Sequence, residues 1–236
     1  MAISLKPRRF FFEYTQAGLV AIIFALFVRT WLFQPFTIPT PSMEDTLLVG
    51  DYIVVNKFAL ASLATPLERS VLPLSDVRRG DVIVFRYPHD ETQDYVKRAI
   101  ALPGETVKIV DRVVYIQRPG QEGYVPIIEP YAHHWYPGAD TVQLDNFGPL
   151  TIPQGQYFVM GDNRDNSADS REWGLVPRDH IVGRGLLIYW SFGRPERDGA
   201  LAAGRSPARS TTTRVLTSAG AFFTGTRWER SGRLIR

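Results

Sequence analysis

Twelve consecutive residues near the N-terminus, Ala17-Gly18-Leu19-Val20-Ala21-Ile22-Ile23-Phe24-Ala25-Leu26-Phe27-Val28, carry no charge. They constrain everything that follows. Phe10, Phe11 and Phe12 extend the apolar stretch upstream, and Trp31, Leu32 and Phe33 extend it past Arg29. A bilayer needs roughly 20 apolar residues, and the run from Phe10 to Phe33 is long enough, with Glu13 and Arg29 near its ends where they can snorkel. Lys6, Arg8 and Arg9 precede it, and after Arg29 the next basic residue is Lys57. This bias predicts a cytoplasmic N-terminus over 1–9, a transmembrane anchor over 10–33 and the remainder outside. A cleaved signal peptide and a buried core helix are the alternatives. The downstream Trp31-Leu32-Phe33-Gln34-Pro35-Phe36 offers no small-residue cleavage site for the first of these.

Pro35, Pro39 and Pro41 exclude helix just after this run and favour an extended segment. Short runs rich in β-branched residues follow: Tyr52 to Phe58, Val82 to Tyr87, Tyr95 to Leu102, Val107 to Ile109 and Val113 to Ile116, then Tyr157 to Met160 and Ile181 to Trp190. Residues 117–156 are rich in Pro, Gly and aromatics without sustained periodicity, as in an insertion built of hairpins. The fold class is therefore mainly β. An antiparallel domain spans 34–193, with a smaller β subdomain inserted at about 107–156 and one transmembrane helix in front. Residues 194–213 read as a flexible linker and 214–236 as a basic C-terminal segment carrying Phe222, Phe223 and Trp228.

With 236 residues and 44% hydrophobic content the chain can bury a sizeable core. Its net charge of +3 has much of the basicity at the two ends, which argues against a nucleic-acid binder. It has no cysteine, so disulfides, zinc–thiolate sites and a Cys nucleophile are excluded.

Three features can carry chemistry. Ser42 stands in Pro39-Thr40-Pro41-Ser42-Met43, a turn close to the membrane exit; a lone serine there is more often a helix cap. Lys97 lies in Asp94-Tyr95-Val96-Lys97-Arg98-Ala99-Ile100, where Tyr95, Lys97 and Ala99 share one face and Val96 and Arg98 the other. An edge-strand lysine is usually solvent-facing, but a desolvated one can serve as a base. The loop Gly161-Asp162-Asn163-Arg164-Asp165-Asn166-Ser167-Ala168-Asp169-Ser170-Arg171 fails the EF-hand spacing: counting from Asp162, the sixth position is Ser167 and the twelfth Trp173. It reads instead as a self-satisfied hydrogen-bonded loop with Asp–Arg pairs. His89, His133, His134 and His180 occur without a nucleophile-elbow context, and His133-His134 lacks a third metal ligand at suggestive spacing.

Taken in order, the anchor, Ile38-Pro39-Thr40-Pro41-Ser42-Met43, Gly50-Asp51-Tyr52-Ile53-Val54-Val55-Asn56-Lys57, Arg79-Gly80-Asp81-Val82-Ile83-Val84-Phe85, Tyr95-Val96-Lys97-Arg98 and the 161–171 loop closely resemble the bacterial type I signal peptidases. The likeness covers roughly residues 10–193, and Arg227-Trp228-Glu229-Arg230 is similar to that family's C-terminal end. The resemblance implies a membrane-bound serine endopeptidase of the inner membrane that needs neither cofactor nor metal. Its partners would be signal peptides and the bilayer, with no nucleic acid, and it would act as a monomer.

By the same resemblance Ser42 is the nucleophile and Lys97 the general base, with Thr40 supporting the oxyanion and Ser167 orienting the lysine. Asp162, Asp169 and Arg171 are structural supports. Phe36, Ile38, Met43, Leu47, Asp94, Tyr95 and Val96 would bind an extended substrate cleaved after a small-x-small motif. Pro41 replaces the glycine usual before the serine, and Glu44-Asp45 replaces a segment that often carries proline. A self-cleaving repressor type of Ser-Lys protease and a catalytically inert membrane-tethered β adaptor are the competing readings.

Overall fold

The computed structural model describes residues 7–27, 33–57, 76–134, 145–193 and 225–235. The predicted linker at 194–213, Phe222, Phe223, Arg29, Trp31 and Leu32 lie outside the described residues. A helix, α1, runs from Pro7 to Phe27 with Pro at its start, where a missing N–H costs nothing. Its side chains from Phe11 onward are exposed along their whole length. Among the described residues no helix is long and apolar enough to cross a membrane.

The rest is antiparallel sheet. The larger sheet comprises β1 (Phe33–Thr37), β2 (Asp51–Asn56), β11 (Ile181–Ser191), β3 (Val82–Tyr87), β4 (Asp90–Ala101), β9 (Gln156–Met160) and β10 (Val176–Pro177), in that order. A short β12 (Arg233–Leu234) pairs with β11. A second sheet orders β7 (Val125–Pro126), β6 (Val113–Gln117), β5 (Thr106–Val110) and β8 (Phe147–Thr151). It occupies the stretch where the small subdomain was expected.

Two apolar clusters sandwich the large sheet. Ile83 and Phe85 of β3 pack with Ala99, Val159 and Tyr95, while Val82 and Val84 pack with Ile38, Met43, Leu47 and Val96. A strand covered on both faces has no polar alternation, which is why Val82-Ile83-Val84-Phe85 reads as a continuous apolar run. Each such side chain, fully buried, contributes roughly 1.5–3 kcal/mol. Tyr95 and Ala99 join one cluster and Val96 the other, so β4 alternates as its sequence requires. Ile100 and Ala101 continue β4 into a third cluster, with Val107, Ile109, Ile116 and Phe158, which ties the two sheets together.

One boundary changes: Phe33 opens strand β1 instead of closing the anchor. Pro35 is tolerated there because β1 is an edge strand that, among the described strands, pairs with β2 alone. The described C-terminal residues 225–235 pack back onto the sheet, where β12 pairs with β11. Arg230 is buried, with Nη2 donating to Asp51 Oδ2 at 2.5 Å and Nε to Oδ1 at 3.2 Å, and Ser191 Oγ donates to the same carboxylate at 2.6 Å.

Candidate active site

Ile38 N donates to Asp51 O and Ile38 O accepts from Gly50 N, which carries the β1–β2 pairing to residue 38, and the chain then turns into a short 3-10 helix, Pro41–Met43. Pro41 occupies its first position, where a fixed φ suits the turn and no N–H is needed. The proline before Ser42, a departure from the usual glycine, is thus compatible with the backbone. Its freed carbonyl accepts from Glu44 N at 3.0 Å and from Asn163 Nδ2 at 3.3 Å.

Ser42 and Lys97, 55 positions apart, meet: Lys97 Nζ donates to Ser42 Oγ at 2.6 Å. Both are buried, at 9% and 4% relative exposure. Burial strips water from the amine and lowers its pKa from 10.5 to about 8, against a pull upward from Asp169 and with a smaller push downward from Arg171. At its ordinary value a lysine would be neutral in about one molecule in 3,000 at pH 7; at about 8 the fraction is about one in ten. A neutral amine beside a hydroxyl can take its proton. Thr40 Oγ1 stands 3.5 Å from Ser42 Oγ.

These residues line a groove of about 550 Å3. Phe36, Ile38 and Met43 line it on the β1 side, and Asp94, Tyr95 and Val96 on the β4 side. Leu47, expected among them, is instead fully buried in the core, its N–H donating to Met43 O, because the turn after Ser42 folds it inward. Gln93, Asn166 and Ala168 also face the groove. Pairing between β4 and β9 begins only at Arg98, so among the described strands residues 94–97 pair on the β3 side alone.

The polar loop is stapled from within. Asp169 caps α2 (Ser170–Trp173); its carboxylate accepts from Arg171 N and Nε and from Gly161 N, at 3.2, 2.9 and 3.0 Å. Arg171 Nη2 also donates to Arg164 O at 2.7 Å. Asp162 takes both ends of the Arg98 guanidinium, at 2.8 and 2.6 Å. The sequence places Arg98 only beside Val96 and Arg164 only among the loop's Asp–Arg pairs; an arginine leading into Ala99-Ile100-Ala101 signals a buried partner, and Arg164 pairs instead with Glu129, outside the loop.

Among the described residues the Ser167 hydroxyl is buried with no hydrogen-bond partner. It packs instead against Gly161, where an added Cβ would lie 2.2 Å from Ser167 Oγ and 2.4 Å from the Ser42 carbonyl oxygen. Gly161 is therefore required for close approach. Gly161→Ala is expected to push the Ser42 turn away and lower turnover about 10²-fold, since misplacement of about 1 Å costs that much. Steady-state kinetics on the purified variant check this, and turnover within threefold of wild type would refute it.

A family model described as "Signal peptidase, peptidase S26" matches residues 11–190. The chain belongs to the S26 signal peptidase family. Signal peptidase I of Pseudomonas aeruginosa is 36% identical over 210 residues, covering 78% of this chain and 74% of the relative. Signal peptidase I of Aquifex aeolicus is 35% identical, covering 72% and 80%. Signal peptidase I T of Bacillus subtilis is 34% identical, covering 79% and 89%. As an S26 family member the chain is a serine peptidase with a mainly antiparallel β architecture.

Proposed function

We propose that this protein is a membrane-anchored endopeptidase that removes signal peptides from exported precursors, with Ser42 as nucleophile and Lys97 as general base. The observation that carries the reading is the 2.6 Å contact between a buried hydroxyl and a buried amine whose pKa has fallen to about 8. Ser42 Oγ attacks the scissile carbonyl carbon while its proton passes to Lys97 Nζ. The C–N bond then breaks as the ammonium protonates the leaving amine. The neutral lysine next deprotonates a water, which attacks the ester carbon and releases Ser42 Oγ, and the proton returns to that oxygen. The Ser42 N–H and the Thr40 hydroxyl stabilise the oxyanion. No cofactor or metal takes part.

An extended substrate adds as a strand between β1 and the 94–97 stretch of β4. The shallow walls made by Ile38, Met43, Tyr95 and Val96 favour small side chains at two alternate positions, matching a small-x-small cleavage site. The exposed apolar length of α1, continued in sequence by Val28, supports an anchor; Lys6, Arg8 and Arg9 hold its start in the cytoplasm. The groove then lies outside the cytoplasmic membrane, a few residues from the bilayer, and the enzyme works as a monomer. Ser42→Ala is expected to abolish cleavage of a secretory precursor in liposomes while leaving circular dichroism unchanged. Normal cleavage by that variant would sink the assignment.

A further inference from the structure

Residues 129–133 follow β7 and present three side chains, two positions apart, each on a different part of the site. Both Glu129 carboxylate oxygens accept from the Arg164 guanidinium, at 2.5 and 3.0 Å, and Arg164 Nε donates to Gly161 O at 3.1 Å. The Tyr131 ring lies 3.9 Å from Arg98 Cζ, beside Lys97 in sequence, and its hydroxyl donates to Glu129 Oε1 at 3.2 Å. His133 N donates to Asp162 O at 2.8 Å, and His133 O accepts from Arg164 N at 2.9 Å. The His133 ring, through Nε2, is bonded to the Asp45 carboxylate.

Asp45 closes the turn that begins at Pro41, and its φ of 77° is left-handed, a conformation that L residues hold only when their surroundings impose it. Beside it opens a cavity of about 670 Å3, lined by Asp45, Thr46, Tyr131 and His133 among others. Bulky packing therefore does not fix the turn on that side. Upstream, Ser42 O accepts from Asn163 N at 3.2 Å, and Asn163 forms a β-bridge with His133. The nucleophile turn is thus gripped at both ends, and both grips run to His133.

We propose that segment 129–133 is a positioning strap, in which His133 acts through Asp45 to hold the Ser42 turn in register with Lys97. The proposal rests on the reading of Ser42 and Lys97 as nucleophile and base. His133 is a positioning residue and touches no substrate. Because the side chains of the pair are 45% and 39% exposed, its bond adds little to stability, so losing it should change rate much more than folding. Among the described residues no hydrogen bond or ion pair named above joins the strap to the groove walls at 36–38 and 94–96, so substrate affinity should change much less than rate.

The test uses the full-length protein in detergent with a peptide spanning a precursor cleavage site. His133→Ala and Asp45→Ala should each lower kcat about tenfold or more with KM within twofold. The double variant should be no worse than the weaker single one, since both remove one contact. Asp45→Asn, which keeps an acceptor and is at ease in the left-handed region, should recover most of the loss seen in Asp45→Ala. Melting temperatures should stay close to wild type. The strap fails if both alanine variants keep kcat within twofold, if the loss appears in KM, or if it tracks the folded fraction. Ser42→Ala runs alongside: activity there removes the nucleophile reading itself, whereas an inactive Ser42→Ala with a fully active His133→Ala overturns the strap alone.

Discussion

Lys97→Arg is expected to be as inactive as Lys97→Ala, both about 10²–10⁴-fold below wild type in kcat, the range that a positioned proton acceptor contributes. The comparison separates two roles for the lysine. If its positive charge mattered, arginine would preserve it. If its lone pair matters, arginine cannot substitute, since a guanidinium stays protonated in proteins. The pH profile gives the sign. The base must be neutral, and burial has lowered the Lys97 pKa to about 8, so the rate should rise about tenfold per unit from pH 6 towards 8 and then level. A lysine at its ordinary 10.5 would keep the rate climbing beyond pH 9. Stopped or steady-state cleavage of a soluble peptide across pH 6–10 distinguishes them. A rate flat below pH 8, or an active Lys97→Arg, would remove Lys97 as the base.

How far this site was legible in the sequence depends on whether each contact is local. Val82 to Tyr87 was readable as a strand because burial on both faces leaves an apolar run that no turn interrupts. The first half of β4 was not: Asp90 to Asp94 are polar because they face the groove and solvent, so the strand appeared to start at Tyr95. Strand β1 was read only as extended, its Pro35 concealing the fact that an edge strand needs few of its own N–H groups.

Ser42 and Lys97 could be placed in one site through the order of several motifs, although neither sequence neighbourhood shows that they touch. The same route misplaced Leu47 and could not show how Ser167 packs. Motif likeness carries residue identity but not rotamer or burial, and here Ser167 packs on Gly161 while Leu47 turns into the core. Glu129, Tyr131 and His133 were out of reach for another reason. They sit in a stretch without periodicity, and their partners Arg164, Arg98 and Asp45 lie 33 or more positions away. Contacts of that kind are decided by the tertiary fold.

The pair behind Lys97 predicts the largest loss of stability. Arg98 and Asp162 have side chains 1% and 0% exposed, joined by two hydrogen bonds of 2.8 and 2.6 Å. Two further guanidinium N–H groups donate to Gly80 O at 2.7 Å and Thr46 Oγ1 at 3.1 Å. Removing two charges from water is costly, so the intact pair is no proof of net stabilisation. Removing one partner is different, because the arginine left behind cannot shed its proton and cannot reach solvent. Asp162→Ala is therefore expected to lower the unfolding free energy by about 3–5 kcal/mol. Replacing both groups by apolar ones of similar size, Arg98→Met with Asp162→Leu, should recover much of that loss. Yet the double variant should remain slow, since β4 would lose the tether that sets Lys97 beside the 161–171 loop. Urea unfolding followed by tryptophan fluorescence, paired with turnover measured where each variant is folded, gives both quantities. A loss below about 1 kcal/mol for Asp162→Ala would mean that water reaches the pair, and would also undercut the desolvation that lowers the Lys97 pKa.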